Sequence, residues 1–145
     1  MTDIYLIAEA AAQLLNNAKL LPEEITAYAD PLPEFELDDL NDLEIVFVPV
    51  NSGLADSSRS ELLETAEITI GILKRISGKD EIKELIALEQ KIMKWFRHRE
   101  FPAGLKHCVC INSDTESLFD GEAAKTQNNF FAVIHLEIEI YEETR

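Results

Sequence analysis

The stretch of sequence that decides the fold reads Phe130-Phe131-Ala132-Val133-Ile134-His135-Leu136-Glu137-Ile138-Glu139-Ile140-Tyr141. Every second residue from Phe130 to Ile140 is apolar, whereas the alternate residues, from Phe131 to Tyr141, turn polar along the stretch. Successive side chains of a strand point to opposite faces, so the pattern predicts a strand with one face on a core. Alternation this strict is typical of an antiparallel sheet.

Two segments have helical periodicity. Thr2–Lys19 combines a capping residue at its start with apolar residues and alanines at helical spacing. Ile82–Arg99 carries the stronger apolar stripe, which a single charged residue, Glu89, interrupts. Pro102 and Gly104 are expected to end this second helix.

Three further segments resemble strands, namely Glu44–Val50, Glu61–Ile76 and Leu105–Asn112, and Glu24–Ala29 is compatible with a short one. Gly71, inside a predicted strand, suggests a bulge or a close contact with another backbone.

The amino-acid composition predicts two loops between these elements. Asn51–Arg59 is expected to be a loop, and Ser113–Asn129 a long polar one.

These elements predict an α+β fold in a single domain of residues 1–145. We expect a mostly antiparallel sheet of about four strands, with two helices packed on one face. The expected order of elements along the chain is α-β-β-α-β-β.

The charge is strongly and unevenly acidic. The net charge is −15, and the ten acidic residues between Lys19 and Arg59 are not accompanied by any Lys or Arg. Much of the basic charge lies between Lys91 and Lys106. The pattern indicates either a solvated surface or opposite patches that meet between copies of the chain, and it disfavours sequence-independent binding of nucleic acid.

No motif predicts a catalytic, cofactor or metal site. The sequence has no P-loop, no dinucleotide-binding glycine motif and no nucleophile elbow. Cys108 and Cys110 lack a CxxC or HxxxH partner pattern, and we expect them on opposite faces of a strand, unbridged, in a reducing compartment. Neither a membrane span nor a secretion leader is expected.

Apolar side chains outside the predicted core indicate protein contacts. Phe131, Val133 and Tyr141 are expected on the strand face away from the helices. Further candidates lie off the helix stripe or in predicted loops: Leu88, Trp95, Phe101 and Phe119. The alternative is that a loop folds over these side chains.

Several short motifs, taken in order, resemble a family of virion proteins. Leu32-Pro33-Glu34-Phe35-Glu36-Leu37-Asp38-Asp39-Leu40 follows an alanine-rich helix and precedes the strand motif Val46-Phe47-Val48-Pro49. A loop with Arg59 comes next, then a strand ending in Lys74-Arg75, a second helix and the final strand. This order resembles the tail terminator, or tail-completion, proteins of tailed bacteriophages and prophages, which include the lambda tail terminator.

The resemblance implies a structural role and no enzyme activity. Proteins of this family form a hexameric ring that caps the tail tube, contacts head-completion or connector proteins, and lets DNA pass through its lumen without specific binding. The expected location is the tail neck of the virion, after assembly in the host cytoplasm, with no membrane and no cofactor.

A hypothesis for the ring is that the acidic segment of one copy meets the basic region of the next. The residues expected at interfaces between subunits or with partners are Phe35, Asp38, Asp39, Asp42, Arg59, Lys91, Lys94, Arg97, Phe131, Val133 and Tyr141.

Two alternatives remain open from the sequence. One is a head-completion or connector subunit, which belongs to the same class of virion proteins. The other is a small cellular ligand-binding domain or enzyme, which a pocket with converging polar groups would favour.

Overall fold

The computed structural model describes residues 3–31, 42–56, 62–104, 106–115, 119–121 and 129–142. The helices are α1 (Ile4–Asn17) and α2 (Lys79–Phe96). The strands of the described chain are β1 (Tyr28–Ala29), β2 (Glu44–Asp56), β3 (Leu62–Arg75), β4 (Glu100–Ala103), β5 (Lys106–Asp114) and β6 (Asn129–Glu142).

The strands form one mixed sheet in the order β1-β2-β3-β6-β5-β4. β1 pairs with β2 in parallel, and the other pairs are antiparallel. The predicted four-stranded antiparallel sheet with the order α-β-β-α-β-β is therefore wrong, because the described part of the chain contains six strands in the order α-β-β-β-α-β-β-β.

The two additional strands are short edge strands. β1 has only two residues, too few to show the alternation of a strand. β4 contains Pro102, which in the sequence indicates the end of a helix. Proline is tolerated at the edge of a sheet, where a missing N–H breaks no ladder, and β4 is the last strand on its side.

The hairpin between β2 and β3 is longer than predicted. Asn51–Asp56 continues β2, and it pairs with Leu62–Glu67 of β3 rather than forming a loop. The register shifts between Pro49 and Asn51, so a local irregularity lets the strand continue past the proline.

β6 lies at the centre of the sheet, between β3 and β5. Its predicted inner face is confirmed, since the side chains from Phe130 to Ile140 at every second position are buried. They join one apolar layer with side chains of both helices and of the neighbouring strands. Ile45, Phe47, Ile68, Ile70, Ile72, Cys108, Cys110 and Phe101 contribute to that layer from the other strands.

α1 begins and ends for local reasons. Asp3 is the N-cap, and its carboxylate accepts a hydrogen bond from the Tyr5 backbone N–H at 3.0 Å. The alanines Ala8, Ala11 and Ala12 are buried, which lets the helix approach the sheet closely. Lys19, with a φ of 57°, ends the segment in the left-handed region.

α1 also holds β1 against the sheet edge. The Asn16 side chain donates to the Ala27 carbonyl at 2.9 Å and accepts from the Ala27 N–H at 2.7 Å. The Tyr5 hydroxyl donates to the Ala29 carbonyl at 3.0 Å. These tertiary hydrogen bonds explain how a two-residue strand is retained.

Gly71 does not mark a bulge. It lies in unbroken register between Val46 of β2 and Val133 of β6, on the face of the sheet away from the helices. A Cβ atom at this position would lie 3.1 Å from Val46 Cγ1 and 3.3 Å from Leu73 Cδ1. The close contact is therefore with side chains, and the nearest backbone atom, the Val46 carbonyl oxygen, lies at 3.9 Å.

We expect Gly71→Val to destabilise the fold by about 1–3 kcal/mol, because the added methyl groups overfill the space beside Val46. Denaturant unfolding measures the change in the free energy of unfolding. Thr69→Val is the matched control, since Thr69 lies two residues away on the same face and the change adds no volume. Equal stability of Gly71→Val and wild type would contradict the packing account.

Candidate interaction site

A cleft with an acidic rim opens between the segment Leu20–Ile25 and the first half of α2. Its volume is about 830 Å³. The apolar residues that line it are Leu20, Leu21, Pro22, Ile25, Leu43, Leu85 and Leu88. The charged residues are Glu23, Glu24, Asp42, Lys74, Glu81 and Glu84. We call this feature the acidic cleft.

Lys74, the one cation among the described residues that line the acidic cleft, is already paired. Lys74 Nζ donates to a carboxylate oxygen of Glu81. The other oxygen of Glu81 accepts from the Ser77 hydroxyl and from the Ser77 backbone N–H, the latter at 3.0 Å. This arrangement ties the first turn of α2 to Ser77, the residue before its N-cap Gly78, which makes no side-chain cap hydrogen bond.

The electrostatic consequence is an acidic surface. The hydrogen bond from Lys74 lowers the pKa of Glu81 to about 2, with Ser77 contributing further, so this carboxylate stays charged at neutral pH. The Lys74 ammonium group is bound to Glu81, so the described lining offers no second cation to the other four carboxylates. An occupant of the cleft would have to supply both positive charge and apolar surface.

The opposite end of α2 is basic. Lys91 and Lys94 are exposed on the second half of the helix, and Arg97 and Arg99 follow it. We call these four residues the basic end. The predicted helix end at Arg99 is wrong, because α2 stops at Phe96 and His98 adopts a φ of 63° in the turn.

Two of the four cations of the basic end are fixed by local contacts. An Arg97 Nη atom donates to the Ser113 carbonyl at 3.1 Å. The Arg99 guanidinium lies 4.3 Å from the centre of the Trp95 ring, and its Nε donates to the Trp95 carbonyl at 3.1 Å. The basic end therefore presents an ordered cation–π pair beside exposed lysines.

The outer face of the sheet, on the side away from both helices, is the third feature. Phe131 and Tyr141 lie on it with 40% and 44% of their surface exposed. Val133 is half-buried between them on the same strand. The prediction that these three residues lie on the face away from the helices is thus confirmed. Phe131 and Tyr141 lie at the two ends of β6, about 33 Å apart along the strand.

Acidic side chains lie on the outer face together with Thr69 and His135. Glu67 and Glu137 are direct cross-strand partners, and Asp114 is paired in register with His135. Like charges directly opposite each other are unfavourable in a sheet. No helix of the described chain covers this face.

The interface residues predicted from sequence fall into three groups. Asp42 lines the acidic cleft, Lys91, Lys94 and Arg97 lie at the basic end, and Phe131, Val133 and Tyr141 lie on the outer face. The remaining four lie outside the described residues: Phe35, Asp38, Asp39 and Arg59. The structure thus does not bring the predicted residues into one site.

Some predicted contact residues belong to the core instead. Phe101 is buried in β4, and Phe119 is half-buried and stacks on Phe130 with ring centres 5.4 Å apart. Leu88 is half-buried and lines the acidic cleft. Phe101 is therefore covered, but as part of an edge strand and not by the expected loop.

The cysteines are not arranged as predicted. Cys108 and Cys110 are both fully buried on the helix-facing side of β5, because residues two apart on a strand share a face. Both are free thiols, and burial raises the pKa of each to about 11, so neither is a reactive thiolate at neutral pH.

Within the described ranges, no three His, Cys, Asp or Glu side chains are grouped so that they could hold a metal ion. In the same ranges, no helix combines the length and hydropathy needed to cross a membrane.

Comparison with known proteins supports the fold alone. No protein-family model matches the chain, and no curated protein matches it. Among the solved structures that are similar, one matches over 100% of both chains, with a TM-score of 0.58 and 11% sequence identity. The name of that protein is a bare sequence identifier and gives no function.

In the sequence, Glu89 is only a charged residue that interrupts the apolar stripe of α2. Its side chain is 0% exposed, and neither carboxylate oxygen has a hydrogen-bond partner among the described residues. Burial raises its pKa to about 7. A buried carboxyl without a partner is held most stably when protonated.

Glu89 should make stability depend on pH with a defined sign. The folded-state pKa lies above the ordinary value of 4.5, so the folded protein binds the proton more tightly than the unfolded chain. Stability is therefore lost as pH rises from about 4.5 to about 7, and the loss is complete above that.

We expect Glu89→Gln to remove this loss. The variant should gain stability relative to wild type as pH rises through this window, up to a difference on the order of 3 kcal/mol. Denaturant unfolding between pH 4.5 and 8 measures it, with Glu84→Gln, which removes an exposed carboxyl from the same helix, as the control. Parallel curves for wild type and Glu89→Gln would contradict the account.

Proposed function

We propose that this chain is a structural virion protein of a tailed bacteriophage, a tail terminator that forms a ring. In this role it caps the tail tube, joins the tube to the head–neck proteins, and lets DNA pass through the ring. The ordered motifs around Phe35, Val46, Lys74 and Phe130 support the proposal from the sequence.

The structural observation that carries the proposal is the sheet with both helices on one face. The other face exposes Phe131 and Tyr141, and Val50 is exposed by 56% at the β2 bulge. Exposed apolar side chains on this face favour contact with other proteins over solvent. The acidic cleft and the basic end add two further surfaces of opposite charge.

The mechanism of such a protein is geometric. A contact between two different patches of identical subunits closes into a ring when the rotation per subunit is right. The tube protein and the head-completion or connector proteins then bind the two sides of the ring. With a net charge of −15, a ring of this chain would repel the phosphates of DNA and let it slide.

The proposal involves no enzyme activity and no cofactor. Within it, the protein acts at the tail neck of the virion after assembly in the host cytoplasm. A head-completion or connector subunit remains the alternative within the same class, and it differs in ring size and in partners.

The acidic cleft favours a second candidate from another class. Its volume of about 830 Å³ lies in the range of ligand pockets, so a small cellular domain that binds a cationic apolar ligand also fits it. Such a domain would not recognise tail tubes, which separates the two candidates experimentally.

We expect the purified chain to form rings of six. Native mass over a range of protein and salt concentrations gives the subunit number, and negative-stain images give the ring. Rings of twelve would support the connector instead.

Addition of tail tubes is the second arm of the experiment. A terminator binds tube ends and blocks further polymerisation of the tube protein, even where it assembles only at the tube. A chain that forms no ring and leaves tube growth unchanged would contradict the proposed function.

A further inference from the structure

We propose that the acidic cleft is the receptor for the basic end of α2 of a second copy of this chain. The inference rests on the proposed ring and names the contact that would build it. The occupant is a defined segment, Lys91–Arg99 of the neighbouring subunit.

Charge complementarity is the first argument. Five carboxylates and one lysine line the cleft, and that lysine is already bound to Glu81. Four of the 13 Lys and Arg of the chain lie between Lys91 and Arg99, a stretch without any Asp or Glu. In a chain with 28 acidic residues, this segment is a concentrated source of unopposed positive charge.

Apolar surface is the second argument. The floor of the cleft is formed by leucines and Ile25, with Leu85 and Leu88 from α2 itself. The basic end carries Trp95, a half-buried ring that packs edge-on against Phe96 and lies beneath the Arg99 guanidinium. An aromatic ring and an arginine are the residue types that most often anchor protein interfaces.

The position of the two surfaces is the third argument. The cleft is lined by the first half of α2, and the basic end begins at Lys91 of the same helix. The cleft reaches Leu88 and the basic end begins one turn later at Lys91, so the two surfaces cover successive parts of α2. Such a contact joins two different patches and is heterologous, as a ring requires.

The test is a charge-reversal pair. Variant A, Glu24→Lys with Glu84→Lys, reverses two charges of the cleft, whose described lining then carries three acids and three lysines. Variant B, Lys91→Glu with Lys94→Glu, reverses both lysines of the basic end, which then carries two acids and two arginines. All four side chains are exposed, and the two arginines of the basic end are left unchanged because they hold local hydrogen bonds. Far-UV circular dichroism and thermal unfolding check that each variant folds.

We expect each variant alone to need at least a tenfold higher subunit concentration to assemble, because one of the two surfaces has lost its net charge and the attraction between cleft and basic end is lost. An equimolar mixture of A and B should regain assembly. The unaltered basic end of A fits the unaltered cleft of B, and the introduced lysines in the cleft of A face the introduced glutamates at the basic end of B. The assemblies should then contain equal amounts of the two variants, which native mass spectrometry resolves.

Two matched controls separate a specific contact from net charge. Glu9→Lys combined with Gln13→Lys and Asn17→Lys on α1 raises the net charge by the same amount as A does. Lys79→Glu with Lys83→Glu lowers it by the same amount as B does. All five positions are exposed and do not line the cleft. Both controls should assemble as wild type does, and equal losses in variants and controls would overturn the proposal.

The remaining outcomes distinguish this inference from the proposed function. Rings formed normally by A or by B alone would overturn the contact between cleft and basic end, but they would not contradict the proposed ring. A wild-type chain that is monomeric in solution is assayed at tube ends, where the same loss and rescue are required. Absence of both assembly and tube binding in wild type would overturn the inference and the proposed function together.

Discussion

The apolar face of β6 is the constraint on which the rest of the structure depends. The strand is central in the sheet, and its inner side chains are almost completely removed from water. Both helices pack on that same side, and the strands on either side contribute residues to the same layer. Hydrophobic burial in one continuous layer is the main favourable contribution to folding in a domain of this size.

Placing both helices on one face has a direct consequence for function. The other face of the sheet remains open among the described residues, with Phe131 and Tyr141 exposed and acidic residues between them. A second consequence is that α2 is polarised, with its first half bordering the acidic cleft and its second half leading into the basic end. The proposed ring depends on these exposed surfaces.

Glu89 and Gly71 are buried positions that lack the large apolar side chain expected in a core. Glu89 occupies a position in the α2 stripe that an apolar residue would fill, and it lies buried without a described partner. Gly71 leaves out a side chain where Val46 and Leu73 already fill the space. The first costs stability when the carboxyl is charged, whereas the second avoids a clash, so only Glu89 is a candidate for a role unrelated to folding.

The sequence by itself determined the elements whose periodicity is long enough to be read locally. These are α1, α2 and the central strands β2, β3, β5 and β6, together with the buried face of β6 and the outward position of Phe131. The sequence allowed a short strand within Glu24–Ala29, but its position and its two-residue length depend on hydrogen bonds from Tyr5 and Asn16 of α1. β4 was settled by the tertiary structure, because a strand containing Pro102 is tolerated only at a sheet edge. The tertiary structure also decided the acidic cleft, whose walls come from segments far apart in sequence, since periodicity records which face of an element is buried and not which other segment covers it.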